Sequence, residues 1–160
     1  FYKDKVKVCD EVIESIRNSD LIILSMGSLF TSIIPNLLSL DVIKELDDSK
    51  AKIMYVCNLV TQPGETDDFK VSDHVNILNS YLGSHKIDIV VANTGVIDKD
   101  IAEKYATLEQ KDPVDFDKEN IKCETILNSY ATIEDGVIRH NVEKLSLDIY
   151  SSLINYYEIL

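Results

Sequence analysis

The sequence predicts an α/β protein built as a three-layer sandwich with a mostly parallel sheet. Two observations predict it. Three short apolar runs, LIIL at 21–24, KIMYVC at 52–57 and IDIVVA at 87–92, read as strands buried on both faces. Segments with apolar residues at helical spacing alternate with them, which is the pattern of βαβ units. The alternation also places a site before any motif is considered. Ligands of open α/β sheets sit beyond the carboxyl ends of the strands.

The elements follow in order. Residues 10–18 form a short helix with Val12, Ile13 and Ile16 on one face, and strand 21–24 comes next. Residues 28–38 and 40–46 are expected to be helical, with Pro35 interrupting the stretch. After strand 52–57, Ser72 is placed to N-cap a helix with Val75, Leu78 and Leu82 inward. Strand 87–92 is followed by a helix capped by Asp98, with Ile101, Tyr105 and Leu108 on its inner face. Short strands are expected near 113–116 and 124–127. The last helix begins after Asn141, with Val142, Leu145, Ile149 and Leu153 on one face.

Composition narrows the function classes. Of 160 residues, 16 are Lys or Arg and 28 are Asp or Glu, a formal charge of −12. An acidic chain without a basic run does not bind nucleic acid, which needs clustered cations against phosphate. The 45% hydrophobic content, with only 5 Gly and 3 Pro, excludes a disordered chain. No apolar run reaches the roughly 18 residues of a membrane helix, so no membrane insertion is expected. Cys9, Cys57 and Cys123 are odd in number and far apart, which points to a reducing compartment. The chain starts at Phe1 in mid-element, as a piece of a longer protein would.

Two segments at strand carboxyl ends carry the chemistry. In SMGSLFTSIIPN (25–36), Gly27 permits a tight turn and hydroxyls follow at Ser28, Thr31 and Ser32. A helix starting there would offer free N–H groups to an anion. The same residues also suit a plain strand-to-helix turn, and Asn36 could satisfy local backbone. In NLVTQPGETDDFKVSDH (58–74), Pro63-Gly64 makes a turn and Glu65, Asp67 and Asp68 gather three carboxylates. Glu65 and Asp67 are the candidate ligands for Mg²⁺, or acceptors for sugar hydroxyls. A solvated acidic turn explains them equally well. His74 beside Asp73 has no nearby nucleophile, His85 lies in a turn, and His140 is expected to cap or pack the last helix. Cys57 has no cationic neighbour and reads as a buried, inert thiol. Neither segment holds Lys or Arg before Lys70, so a phosphate bound here needs backbone N–H groups, a metal or charges from elsewhere.

The stretches DLIILSMGSLFTSIIPNLL (20–38) and AKIMYVCNLVTQPGETDDFKVSDHV (51–75) resemble the YvcK-like branch of the CofD-like superfamily, the gluconeogenesis factors of bacteria. The spacing of Asn58, Thr61-Gln62, Gly64-Glu65-Thr66 and Ser72-Asp73-His74 is the specific part. VIRHNVEKLS (137–146) resembles the family's C-terminal stretch. Met26 stands where the family usually has Pro, which adds a backbone donor to the turn. The resemblance covers 1–160 as the C-terminal half of one domain, without the Gly-rich phosphate loop of the N-terminal half.

The resemblance implies a cytoplasmic, Rossmann-like protein that binds a UDP-sugar or related phosphorylated small molecule. It further implies a regulatory role in cell shape and cell-wall synthesis during gluconeogenic growth, and a homodimer is expected. The ligand wall would comprise Gly27, Ser28, Thr31, Ser32 and Asn36 with Asn58, Thr61, Gln62, Gly64, Glu65, Thr66, Asp67 and His74. The alternative is a Mg²⁺-dependent phosphotransferase related to 2-phospho-L-lactate transferase; no cofactor other than Mg²⁺ is suggested.

Overall fold

The computed structural model describes residues 7–158. Its centre is a parallel four-stranded sheet in the order β1 (Leu21–Leu24), β2 (Lys52–Val56), β3 (Ile89–Asn93) and β4 (Glu124–Asn128). Helices α1 (Asp10–Arg17), α2 (Leu40–Asp48), α3 (Val71–Tyr81) and α4 (Lys99–Glu109) precede or connect the strands. A hairpin of β5 (Ala131–Glu134) and β6 (Val137–His140) follows, and α5 (Val142–Glu158) ends the described chain.

The two faces of the sheet have separate cores. Alternate side chains Tyr55, Cys57, Val90 and Ala92 pack against Ile16, Leu46, Val75 and Leu78 of the first three helices. Met54, Val56, Ile89 and Val91 pack on the other side against Tyr130, Leu145 and Ile149. This is the three-layer, Rossmann-like sandwich expected. The central strands β2 and β3 are buried on both faces, and every buried CH₂ there contributes about 0.8 kcal/mol of transfer free energy. At the amino ends, Asp88 accepts from Ile53 N–H at 2.8 Å, from Lys52 at 3.3 Å and from His85 at 3.0 Å. Asp88 therefore ties the start of β3 to β2, and His85 links it to the end of α2, where its Nδ1 lies 3.0 Å from the Leu46 carbonyl.

Several local expectations change. The stretch 28–38 is not an α-helix. Leu29–Ile33 forms a single π-turn and Ile34–Leu37 a 3₁₀ turn. Pro35 lacks an N–H and its ring crowds the carbonyl four residues back, so the helical ladder shifts register. Helix α3 starts at Val71 with Lys70 as N-cap, not at Ser72. Asp73 Oδ2 accepts the Lys70 N–H at 2.9 Å, and the Ser72 hydroxyl turns instead to Asp117. The third strand begins at Ile89 because Asp88 breaks the run to bind β2. Residues 113–116 contribute a single antiparallel bridge, Val60 with Pro113, and no strand. Leu108 is 70% exposed, because α4 buries only Tyr105, whose hydroxyl accepts the Ile138 N–H of the hairpin at 2.8 Å. Val142 is 69% exposed at the first turn of α5. Among the described residues, no helix is long and apolar enough to cross a membrane.

Candidate functional site

The turn after β1 and the loop after β2 meet at the carboxyl ends of the strands. Gly27 lets the first turn fold tightly: a Cβ there would fall 2.9 Å from Ser32 Cβ. Ser28 Oγ accepts the Thr31 N–H at 3.2 Å and the Thr31 hydroxyl at 2.6 Å, and donates to Glu65 Oε2 at 2.8 Å. Asn58 donates to the Gly27 carbonyl at 3.2 Å and accepts from the Tyr55 hydroxyl at 3.3 Å. Two segments thirty residues apart thus form one wall through Ser28–Glu65 and Gly27–Asn58. No α-helix begins at Ser28: Leu29–Ile33 is a five-residue π-turn, and Ser28 Oγ takes the Thr31 N–H.

The loop after β2 is built rather than slack. Thr66 Oγ1 accepts the Gln62 N–H at 2.8 Å, and Asp67 Oδ2 accepts the Gly64 N–H at 2.8 Å. Gly64 has φ +75°, a left-handed conformation that glycine adopts without steric cost. Thr61 exchanges two bonds with Asp112, at 2.8 and 2.9 Å, anchoring the loop to the segment after α4. Thr61 and Thr66 are buried, so they hold the loop from behind, while Glu65 is half-buried and Asp67 is exposed. Thr31, Ser32 and Asn36 are exposed along the neighbouring turn, with Asn36 donating to the Ser32 carbonyl at 2.7 Å. Among the described residues, no three His, Cys, Asp or Glu gather into a group that could hold a metal ion. Glu65 and Asp67 would need a further ligand to hold Mg²⁺.

His74 lies behind the wall. It is 1% exposed, stacked on Tyr55 with ring centroids 6.3 Å apart and edge-on to Phe69 at 5.5 Å. Its Nδ1 is 3.0 Å from the Lys70 carbonyl and so carries the proton. Burial pushes His74 and His140 below the ordinary histidine range. The unfolded chain therefore takes up protons at higher pH than the folded one. Stability from this source is complete above about pH 6.5 and declines as pH falls below it. Urea unfolding at about pH 7.5 and about pH 5.5 is expected to show a lower midpoint at the acid value, and His74→Phe to reduce that difference. An undiminished difference in the variant would assign the slope to other groups.

Three further polar residues lie at the same end, among them His140, which the sequence places only as a cap or packing residue of the last helix. Asn93 Oδ1 accepts from Gly95, Tyr130 and Ala131 N–H at 3.3, 2.8 and 3.1 Å, fastening the hairpin to β3. His140 Nε2 lies 3.2 Å from the Cys57 carbonyl, just past the end of β2. Lys144 of α5 donates to the Ser129 carbonyl at 3.1 Å, past the end of β4. That places a cation at the carboxyl side of the sheet, which neither loop supplies. The Cys57 thiol is buried and pushed up to about 12, first by desolvation, and is inert.

The chain resembles known proteins in sequence and in fold. Residues 1–131 match the family model described as 2-phospho-L-lactate transferase CofD. The chain is 40% identical over 146 residues to the gluconeogenesis factor of Bacillus subtilis, covering 89% of this chain and 46% of that one. It is 34% identical over 154 residues to the gluconeogenesis factor of Listeria monocytogenes, covering 95% and 47% respectively. A crystal structure of a Bacillus halodurans protein superposes with TM-score 0.85 at 35% identity, over 90% of this chain and 47% of that chain. A second, of a UPF0052 family member from the same organism, gives 0.83 at 34% identity over 88% and 46%. The chain thus spans about half the length of the relatives it matches.

Proposed function

The chain belongs to the CofD family, and from that premise we propose that it forms one wall of a nucleotide-sugar site of the UDP-sugar class. The protein would act as a cytoplasmic gluconeogenesis factor, regulating cell morphogenesis and cell-wall synthesis under gluconeogenic growth. The observation that carries this reading is the Thr31–Ser28–Glu65 chain of hydrogen bonds. It makes one polar surface from two loops at the end of the sheet where α/β proteins bind ligands. Glu65 can accept from sugar or ribose hydroxyls, and charge-assisted bonds of this kind are the strong ones. The relatives named gluconeogenesis factor support that part of the reading. Lys144 contributes one cation toward a diphosphate, and the rest of the charge compensation would come from the other half of the full-length protein.

The family model's description as a transferase favours a second reading, a Mg²⁺-dependent phosphotransferase with Glu65 and Asp67 as metal ligands or base. Asp67 is engaged in its own turn, which weighs against it. Titration of the full-length protein with UDP-glucose, with and without Mg²⁺, followed by product analysis, separates the two. Saturable binding without metal and without turnover is expected. Obligatory Mg²⁺ together with product formation would favour the transferase, and no binding in either condition would refute the nucleotide-sugar site.

A further inference from the structure

We infer that His140 reads the ligand directly: its Nδ1 accepts a hydrogen bond from a ligand hydroxyl or ring N–H, where β2, β3 and the hairpin meet. The inference rests on the nucleotide-sugar reading and specifies which part of the ligand this corner contacts.

His140 is the last residue of β6 and pairs with Ala131 across the hairpin. Asn93 fastens that hairpin to the end of β3 through the Tyr130 and Ala131 N–H groups. The imidazole is thereby set against the first residue past β2, with Nε2 3.2 Å from the Cys57 carbonyl. A carbonyl only accepts, so Nε2 carries the proton and Nδ1 of the neutral ring keeps its lone pair. Burial holds the ring neutral near pH 7 by lowering its proton affinity. The ring is only half-buried, and Nδ1 has no hydrogen-bond partner among the described residues.

The side chains around it have no such capacity. Asn93 Oδ1 already accepts three N–H groups, and its amide donates to the Gly95 carbonyl at 2.9 Å. The Cys57 carbonyl is used by His140 itself. The Cys57 thiol packs in the core with Tyr55 and Val90 on the helix-covered face. Of these side chains, the imidazole is the one with an unused acceptor. An acceptor selects a donor. Phosphate oxygens carry no proton to donate near neutral pH, so the group read here is a hydroxyl of the sugar or ribose, or the N–H of the base.

The test uses full-length protein labelled with ¹⁵N in histidine. His140 Nδ1 should start at the chemical shift of an unprotonated ring nitrogen and move upfield on saturation with UDP-glucose. Uridine and glucose 1-phosphate, titrated separately, tell a nucleoside donor from a sugar donor by which of them moves it. In parallel, His140→Gln, which keeps a donor for Cys57 and an acceptor for the ligand, should bind UDP-glucose within about threefold of wild type. His140→Phe should bind about 10- to 100-fold more weakly. If UDP-glucose binds the wild type and the Nδ1 resonance stays in place, the inference is overturned and the site stands. If UDP-glucose does not bind the wild type, the site reading fails and takes the inference with it. If His140→Phe does not fold, the wild-type resonance alone decides.

Discussion

Asp117→Ala is expected to lower stability by about 3 kcal/mol. The carboxylate is 5% exposed and accepts from Ser72 N–H at 3.0 Å, Ser72 Oγ at 2.5 Å and Asn120 Nδ2 at 2.9 Å. It pins the first turn of α3 to the segment that follows α4. Hydrogen bonds to a charged group contribute roughly 1.5–3 kcal/mol, and removing the acceptor leaves buried donors without partners. Asp117→Asn keeps one acceptor oxygen and should cost less. Burial pushes this carboxyl up, but the Ser72 hydroxyl, the Asn120 amide and the Ser72 N–H outweigh it and hold it below the ordinary range. Its stabilisation is therefore present above about pH 4 and is lost as pH falls through the lower folded-state value. Urea unfolding followed by circular dichroism checks both points. A loss under about 1 kcal/mol for the Ala variant would show that the contact is not maintained in solution.

Asp117 also marks where sequence reading stopped. The strands β1 to β4 and the helices α1 to α5, with the Asp98 cap of α4, were legible because apolar runs, 3.6-residue spacing and capping residues are local signals. The Asp117–Ser72 contact joins residues 45 apart and leaves no local trace. The hairpin did leave one. Asp135 and Gly136, with φ 51° and 74°, form the two-residue turn between ATIE and VIRH. Asp-Gly between two short β-prone runs is a strong hairpin signal. It was masked because the flanking residues Ile133 and Val137 are partly exposed and show no clean alternation. The π-turn at Leu29–Ile33 followed from Pro35, but the register shift it forces was not readable from composition. For the site, the two loops and most of their polar residues were legible from the strand ends. The places of His140 and Lys144 were not, because the hairpin and α5 bring them there from far along the chain, and the bonds that Asn93 makes at the end of β3 run to that hairpin.

Glu65→Gln in the full-length protein is expected to weaken UDP-sugar binding by about 1.5–3 kcal/mol, roughly 10- to 150-fold, with little change in stability. The amide oxygen of Gln can still accept the Ser28 hydroxyl, so the wall formed by the two loops is retained. What is lost is the negative charge, which strengthens a bond from a ligand hydroxyl. Glu65 is half-buried and outside both core clusters, so the change in folding stability should stay within about 0.5 kcal/mol. Calorimetric titration of UDP-glucose into wild-type and Glu65→Gln full-length protein, with matching thermal melts, tests whether Glu65 holds the nucleotide sugar. A nucleotide-sugar site at Glu65 requires saturable binding to the wild type and at least about tenfold weaker binding to a variant that melts at the same temperature. Equal affinity in the two proteins would contradict it.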